Sequence, residues 1–319
     1  NYQSYMSKLK PPHTILYYNL VWNSIRNHKL WLSDKQELDG EYYSGEVRLR
    51  KSNIMLKLYG NISEYSGELF GENIRDVKVY RNIPLIKSNL QKCIRQGLVD
   101  KAIVTAYNFI LIKPWDFLRR LLIIMVEDVS ITDNMDFIMW LMIGFPNFKW
   151  TDEITRYLLL TVYSLCVSKK TLIINDLSYN NISKTQFETA IHSKILRPIL
   201  IRYEYGGLRG DMRMLRNILL DNNDFNNSII KVSRKKIVLN RNICETDFIK
   251  SSIDFHITKK MISYIVDKSP IKDEELIKNL IWYNSSGINY RKPAKIYQKD
   301  NWELIKPSVK DFYKIYKIW

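Results

Sequence analysis

Residues 84–129 read PLIKSNLQKCIRQGLVDKAIVTAYNFILIKPWDFLRRLLIIMVEDV, and their periodicity predicts three amphipathic helices joined with almost no connector. Pro84 suits a first helical position, Gly97 stops the first helix, and Pro114 opens the third. In the first helix Ile86, Leu90, Cys93 and Ile94 fall on one stripe, leaving Lys87, Gln91, Lys92 and Arg95 for the remaining surface. Ala102, Ile103, Ala106, Phe109 and Ile110 repeat the pattern in the second. The third is apolar almost throughout, interrupted by Arg119-Arg120 and closed by Glu127-Asp128. A helix of that kind belongs near the centre of a bundle, with its charges paired or reaching an edge.

Outward from this stretch the chain changes character twice. On the N-terminal side, Pro11-Pro12 precedes a segment expected to be helical over Ile15–Asn27. Val47-Arg48-Leu49-Arg50 then alternates, Lys51-Ser52-Asn53 reads as a turn, and Ile54, Leu56 and Leu58 alternate again. Val77 and Val79 suggest one more short strand. On the C-terminal side helices dominate to about Ser286, with polar breaks at Ile174–Lys184 and Asp221–Asn227. Tyr290–Trp319 is basic and aromatic, a docking helix or an arm. The expected fold is mainly α: a helical bundle over 84–289, preceded by a mixed segment with a small β element over 1–83 and followed by an arm over 290–319.

The order of residues in the opening stretch carries a resemblance. Leu-x-Lys-x-Ile-Arg-x-Gly over Leu90–Gly97, the pair Asp100 and Ala102, Arg119-Arg120-Leu121 and Glu127-Asp128-Val129 resemble the helical C-terminal region of one ATPase family. That family is the clamp-loader-like replication-associated recombination protein A, which includes the eukaryotic Werner helicase-interacting protein. The helix expected over Glu153–Cys166, ending in Ser168-Lys169-Lys170, matches a later piece of the same region. The resemblance covers residues 84–170 and implies an oligomeric, collar-like bundle. It does not carry over the ATPase activity, because the chain has no Gly-x-x-x-x-Gly-Lys-Ser/Thr loop and no acidic strand end of the Walker B type.

Composition narrows the function classes. The 319 residues are 46% hydrophobic with 21 Tyr, 11 Phe and 8 Trp, too apolar for a solvated tail and enough for one large core or two ordinary ones. No apolar run is long enough to predict a membrane span. Asn1–Lys10 shows no signal-peptide pattern. Cys93, Cys166 and Cys244 are scattered, which predicts a reducing, intracellular compartment and no zinc site. The abundance of Asn, Ile, Lys and Tyr suggests an AT-rich genome such as that of a large DNA virus. A formal net charge of +16 favours polyanions, nucleic acid first among them, although a basic but inert surface has the same composition.

Candidate contacts follow from charge and spacing. In Tyr203–Arg216, Gly206-Gly207 and Gly210 make a tight entry, Asp211 is a natural helix N-cap, and Arg213 and Arg216 share a face that Arg209 can join. Three guanidinium groups beside a helix N-terminus suit a phosphate, and a solvated face paired with Glu204 and its neighbours is the plainer reading. Lys231, Arg234, Lys235, Lys236 and Arg241 form a basic run, interleaved with apolar residues, that reads as a strand or hairpin, either a polyanion contact or, more plainly, a soluble edge. Arg291 and Lys292 follow the helix that starts near Asp273 and could hold a phosphate beside Trp282 and Tyr283, with an ordinary helix C-cap loop the plainer reading. Glu127-Asp128 would bind a metal only if another carboxylate converged, and pairing with Arg119 or Arg120 fits better. Asp254 and His256 have no further ligand nearby. No nucleophile or metal motif emerges and no cofactor is implied. The leading expectation is a non-catalytic scaffold that holds DNA or RNA without regard to sequence and assembles with itself or a protein partner, with no membrane role. The rivals are an assembly protein of a large DNA virus and an enzyme with a carboxylate site.

Overall fold

Leu16, Tyr18, Leu20 and Trp22 are buried at every second position, and that period makes Thr14–Ser24 a strand, β1. The helix expected over Ile15–Asn27 is not formed, because those four side chains all turn to one face of a sheet. The structure, a computed structural model, describes residues 14–24, 27–49, 51–63, 79–148, 150–169, 172, 174, 181–221, 225–235, 237, 242–249, 252, 257–285 and 296–315. β2 (Asn27–Ser33) folds back antiparallel on β1. β3 (Tyr43–Leu49) and β4 (Ile54–Gly60) form a second hairpin, and between them Asn53 adopts φ 56°, a left-handed turn position that asparagine tolerates. β4 runs parallel to β1, Thr14 opposite Ile54 and Leu20 opposite Gly60, giving the order β2-β1-β4-β3. Val79 belongs to no strand, and Val77 lies outside the described residues.

Helices make up most of the rest of the described chain, so the fold is mainly α with a small N-terminal β element. Asn82 caps α1 (Ile83–Gln96) by accepting a hydrogen bond from the Leu85 amide, and Gly97 ends it at φ 70°. α2 (Val99–Ile112), α3 (Pro114–Ile124) and α5 (Asp152–Val167) pack around α1. Thr151 caps α5, and α3 runs on into a wider turn over Met125–Val129. The apolar stripes of α1 and α2 are buried as expected. Gln91, Lys92 and Arg95 are buried too, against the expectation of a polar outer face. The segment after Cys244 covers that side of α1: Asn89 donates to the Asp247 carbonyl (3.1 Å) and Ser88 to the Ser252 carbonyl (2.5 Å). From Ser88 to Arg95 α1 is therefore buried on every face.

α4 (Met135–Gly144) joins sheet to bundle. Phe137, Ile138, Trp140 and Leu141 on it are all buried. Removing a side chain of that size from water stabilises by roughly 1.5–3 kcal/mol. Trp22 stacks on Phe137 at 4.8 Å, and the Trp140 indole donates to the Tyr18 carbonyl at 3.1 Å. A buried latch reinforces the junction. Arg197, on α7 (Leu196–Tyr205), donates to both Asp136 oxygens (3.1 and 2.8 Å), and the Tyr18 hydroxyl donates to the same carboxylate at 2.5 Å.

α6 (Lys184–His192) and α8 (Arg209–Leu220) pack on α7. Farther along, α9 (Lys259–Lys268), α10 (Glu274–Ser285) and α11 (Lys299–Ile315) bury their own cluster of Met261, Ile265, Ile277, Ile281, Trp302 and Phe312. Among the described residues no helix is long and apolar enough to cross a membrane.

Candidate polyanion-binding sites

α7 ends at Gly206 (φ 87°), the chain runs extended through Leu208, and α8 begins at Arg209. The cap is thus Leu208, which offers no side-chain hydrogen bond. Asp211 sits inside the first turn and is not the cap expected of it. The helix starts three residues early, with Leu208, 71% exposed, as its extended entry from solvent. Arg209 and Arg213 are exposed and one turn apart; Arg216 shares their face but is half-buried, its amino group 3.4 Å from the Asn217 side-chain oxygen. Glu204 is not their partner. It is buried and accepts from the Lys51 amide at 2.9 Å, while the Lys51 ammonium stands 3.3 Å above the Tyr203 ring. The three arginines therefore present a basic stripe of graded exposure.

The run beginning at Lys231 lies elsewhere. Residues 231–235 form no strand: one bridge pairs Thr132 with Ile230, and the Val232 amide donates to Asp133 at 3.1 Å. Held this way, Lys231, Arg234 and Lys235 stand exposed along a cleft of about 1170 Å³. The opposite walls come from the start of α5, from the Tyr107 side of α2 and from the β1–β2 end of the sheet. Arg156 and Lys194 add two exposed cations, making five against the carboxylates of Asp133, Asp152 and Glu153. Asp133 is already engaged by the Val232 amide. The Lys235 ammonium lies 5.1 Å over the Tyr163 ring, so an aromatic face accompanies the charge. Burial, then Asp133, raises the Tyr157 phenol; burial, then Asp152, raises that of Tyr107. Both remain hydrogen-bond donors in the cleft at neutral pH.

The charges at the end of α3 are arranged differently from the expectation. Asp128 is bound by Arg95 at 2.5 Å, and Glu127 lies 3.6 Å from the same guanidinium. The Gln91 amide donates to both carboxylates (2.9 and 2.8 Å). Arg120 donates to the Gln91 side-chain oxygen and acts on Glu127 through charge, while Arg119 lies over the Trp115 ring at 4.5 Å. Arg95 wins because α1 passes directly beside the widened turn that carries both acids. Burial, with Asp128 beside it, raises the Glu127 carboxyl. Among the described residues no group of three or more His, Cys, Asp or Glu side chains converges on a common point.

Lys236, Arg241, Arg291, Lys292, Asp254 and His256 lie outside the described residues. Sequence reasoning found three of the five cleft cations and missed Arg156 and Lys194, each a lone charge in an ordinary helical or turn context. Comparison with family models, curated proteins and solved structures finds no match to this chain.

Proposed function

We propose that this protein holds the phosphate backbone of DNA or RNA, largely without regard to sequence, as a non-catalytic accessory or scaffold. The single observation that supports this reading is the cleft. Its five cations face an aqueous groove and come from three separate parts of the chain. The stripe of Arg209, Arg213 and Arg216 adds a second surface of the same sign. The helical run that resembles an oligomeric collar would, in this reading, present these surfaces in a larger assembly.

Counterion release gives the test its magnitude. Five single-strand phosphate contacts predict a slope of about −3.5 for log affinity against log salt, so affinity falls about 130-fold between about 50 and 200 mM. Replacing Lys231, Arg234 and Lys235 together by alanine leaves two contacts, a slope of about −1.4 and a fall of about sevenfold. Fluorescence anisotropy with a labelled oligonucleotide measures both slopes. A wild-type slope shallower than about −1, or one that the triple variant leaves unchanged, overturns the assignment.

A further inference from the structure

The most deeply buried arginine near the α7–α8 turn belongs to neither surface described above. Arg202, one turn before the end of α7, is 3% exposed. One of its terminal nitrogens donates to the Gly206 carbonyl at 2.5 Å, and its Nε has no hydrogen-bond partner. Among the described residues no carboxylate lies within ion-pair distance of it. Its charged neighbours are mostly of its own sign. Burial, then Arg119, lowers the guanidinium to about 10; Asp211 and Tyr205 oppose that shift and Arg120 adds to it.

Arg119 and Arg120 complete the group from α3. Each also has a buried Nε without a hydrogen-bond partner. Arg119 is wedged between two rings, 4.5 Å from Trp115 and 5.8 Å from Tyr205, which ties the first half of α3 to the end of α7. Arg120 also faces Glu127, but that carboxylate is shared with Arg95 and Gln91. The backbone passes close above Arg202. A Cβ at Gly207 would lie 3.3 and 3.5 Å from its terminal nitrogens and 3.2 Å from the Met212 methyl. Gly207, Leu208 and Arg209 over this spot are exposed. Among the described residues the acidic neighbours of these three guanidiniums are Asp211 and the shared Glu127, while Arg120 also donates to the Gln91 side-chain oxygen and Arg202 to the Gly206 carbonyl. Burying such charge uncompensated is costly, and a bound anion removes the cost.

We infer that Arg119, Arg120 and Arg202, with the turn Gly206–Leu208, form a site for one phosphate group. Guanidinium forks match the oxygens of a tetrahedral oxyanion, and α8 starts two residues beyond Gly207 with no side chain capping its first amides. This site is separate from the cleft and stands whether or not the cleft binds nucleic acid. Trp115 and Tyr205 at its edge would lie beside whatever carries the phosphate.

Thermal unfolding of the full chain in inorganic phosphate tests it, with sodium chloride at matched ionic strength as the control. A saturable rise of about 5 °C at a hundred-fold excess over Kd is expected in phosphate and not in chloride. Arg202→Met should melt at or above the wild-type temperature without phosphate, since it removes an unpaired buried charge, and should lose the rise. Arg119→Gln, at a half-buried position, provides an independent variant and should weaken phosphate binding at least tenfold. No rise in the wild type, an equal rise in chloride, or an unchanged rise in both variants overturns the site. The alanine triple variant of the cleft should keep the full rise, and its loss there would move the phosphate to the cleft and overturn the assignment. Competition between phosphate and 5′-phosphorylated or 5′-hydroxyl oligonucleotides identifies the source. Displacement by the former alone supports a strand end, and displacement by neither supports the free ion at the same site.

Discussion

Replacing Asp136 by alanine isolates the latch between sheet and bundle. Its carboxylate accepts two bonds from Arg197 and one from the Tyr18 hydroxyl, and the two charged side chains are 3% and 5% exposed. Truncation leaves a guanidinium buried beneath β1 with no counter-charge, which costs about 3–5 kcal/mol. Tyr18 loses less, because its hydroxyl also donates to the Asp136 backbone carbonyl at 2.9 Å. A total near 4 kcal/mol is a large share of the roughly 5–15 kcal/mol that holds a domain together. With a urea dependence of about 3 kcal/mol per molar, the unfolding midpoint should fall by more than about 1 M. The double change Asp136→Ala with Arg197→Met removes both charges and should cost less than Asp136→Ala alone. Urea titration of the four proteins closes the cycle, and additive single effects or a loss under about 1 kcal/mol for Asp136→Ala would refute the latch. The pH profile offers an independent check. Burial raises the Asp136 carboxyl, against the pull of Arg197 and then of Tyr18. A raised native value means a contribution to stability that is complete below about pH 4 and is lost as pH climbs through that value. The wild-type advantage over Asp136→Asn should therefore shrink as pH rises from about 4, and an advantage that grows with pH would contradict the desolvation account.

Two further outcomes follow from close packing and from the buried acid pair. A Cβ at Gly60 would sit 2.7 Å from the Trp140 ring and 3.2 Å from the Leu20 Cβ, so Gly60→Ala should destabilise by about 1–3 kcal/mol in chemical denaturation. Arg95→Met leaves the Asp128 carboxylate with only the Gln91 amide beside it, and a loss of about 3 kcal/mol by urea titration is expected; a neutral result would mean that Gln91 suffices.

What the sequence disclosed depended on how local the cause was. Pro84, Gly97 and Pro114 act on their own backbone; α1 and α2 begin and end, and α3 begins, within a residue or two of them. The turn at Lys51–Asn53 was legible for the same reason. β1 was misread because Tyr17, Asn19 and Val21 are only partly exposed or buried outright, so its alternation is blurred by residues that also fit a helical stripe. The polar side of α1 resembled a surface until residues more than thirty positions away, Asp128 and the segment near Ser252, closed over it. Charge runs behaved likewise. Lys231, Arg234 and Lys235 announce themselves as neighbours in sequence, whereas Arg156, Lys194 and Arg202 gain meaning only from elements packed beside them. The partner of Glu127 and Asp128 was misjudged because proximity along α3 favoured Arg119 and Arg120, while proximity in space favoured Arg95.

The strand order carries a consequence for how the molecule tolerates trimming. β1 is an interior strand, bonded to β2 on one flank and in parallel to β4 on the other. Deleting β1 would not shave a border but split the sheet down its middle. β4 would then offer unsatisfied amides and carbonyls to any passing chain, and Trp140 would lose the surface it lies on. The keystone of this largely helical fold is thus a single interior strand.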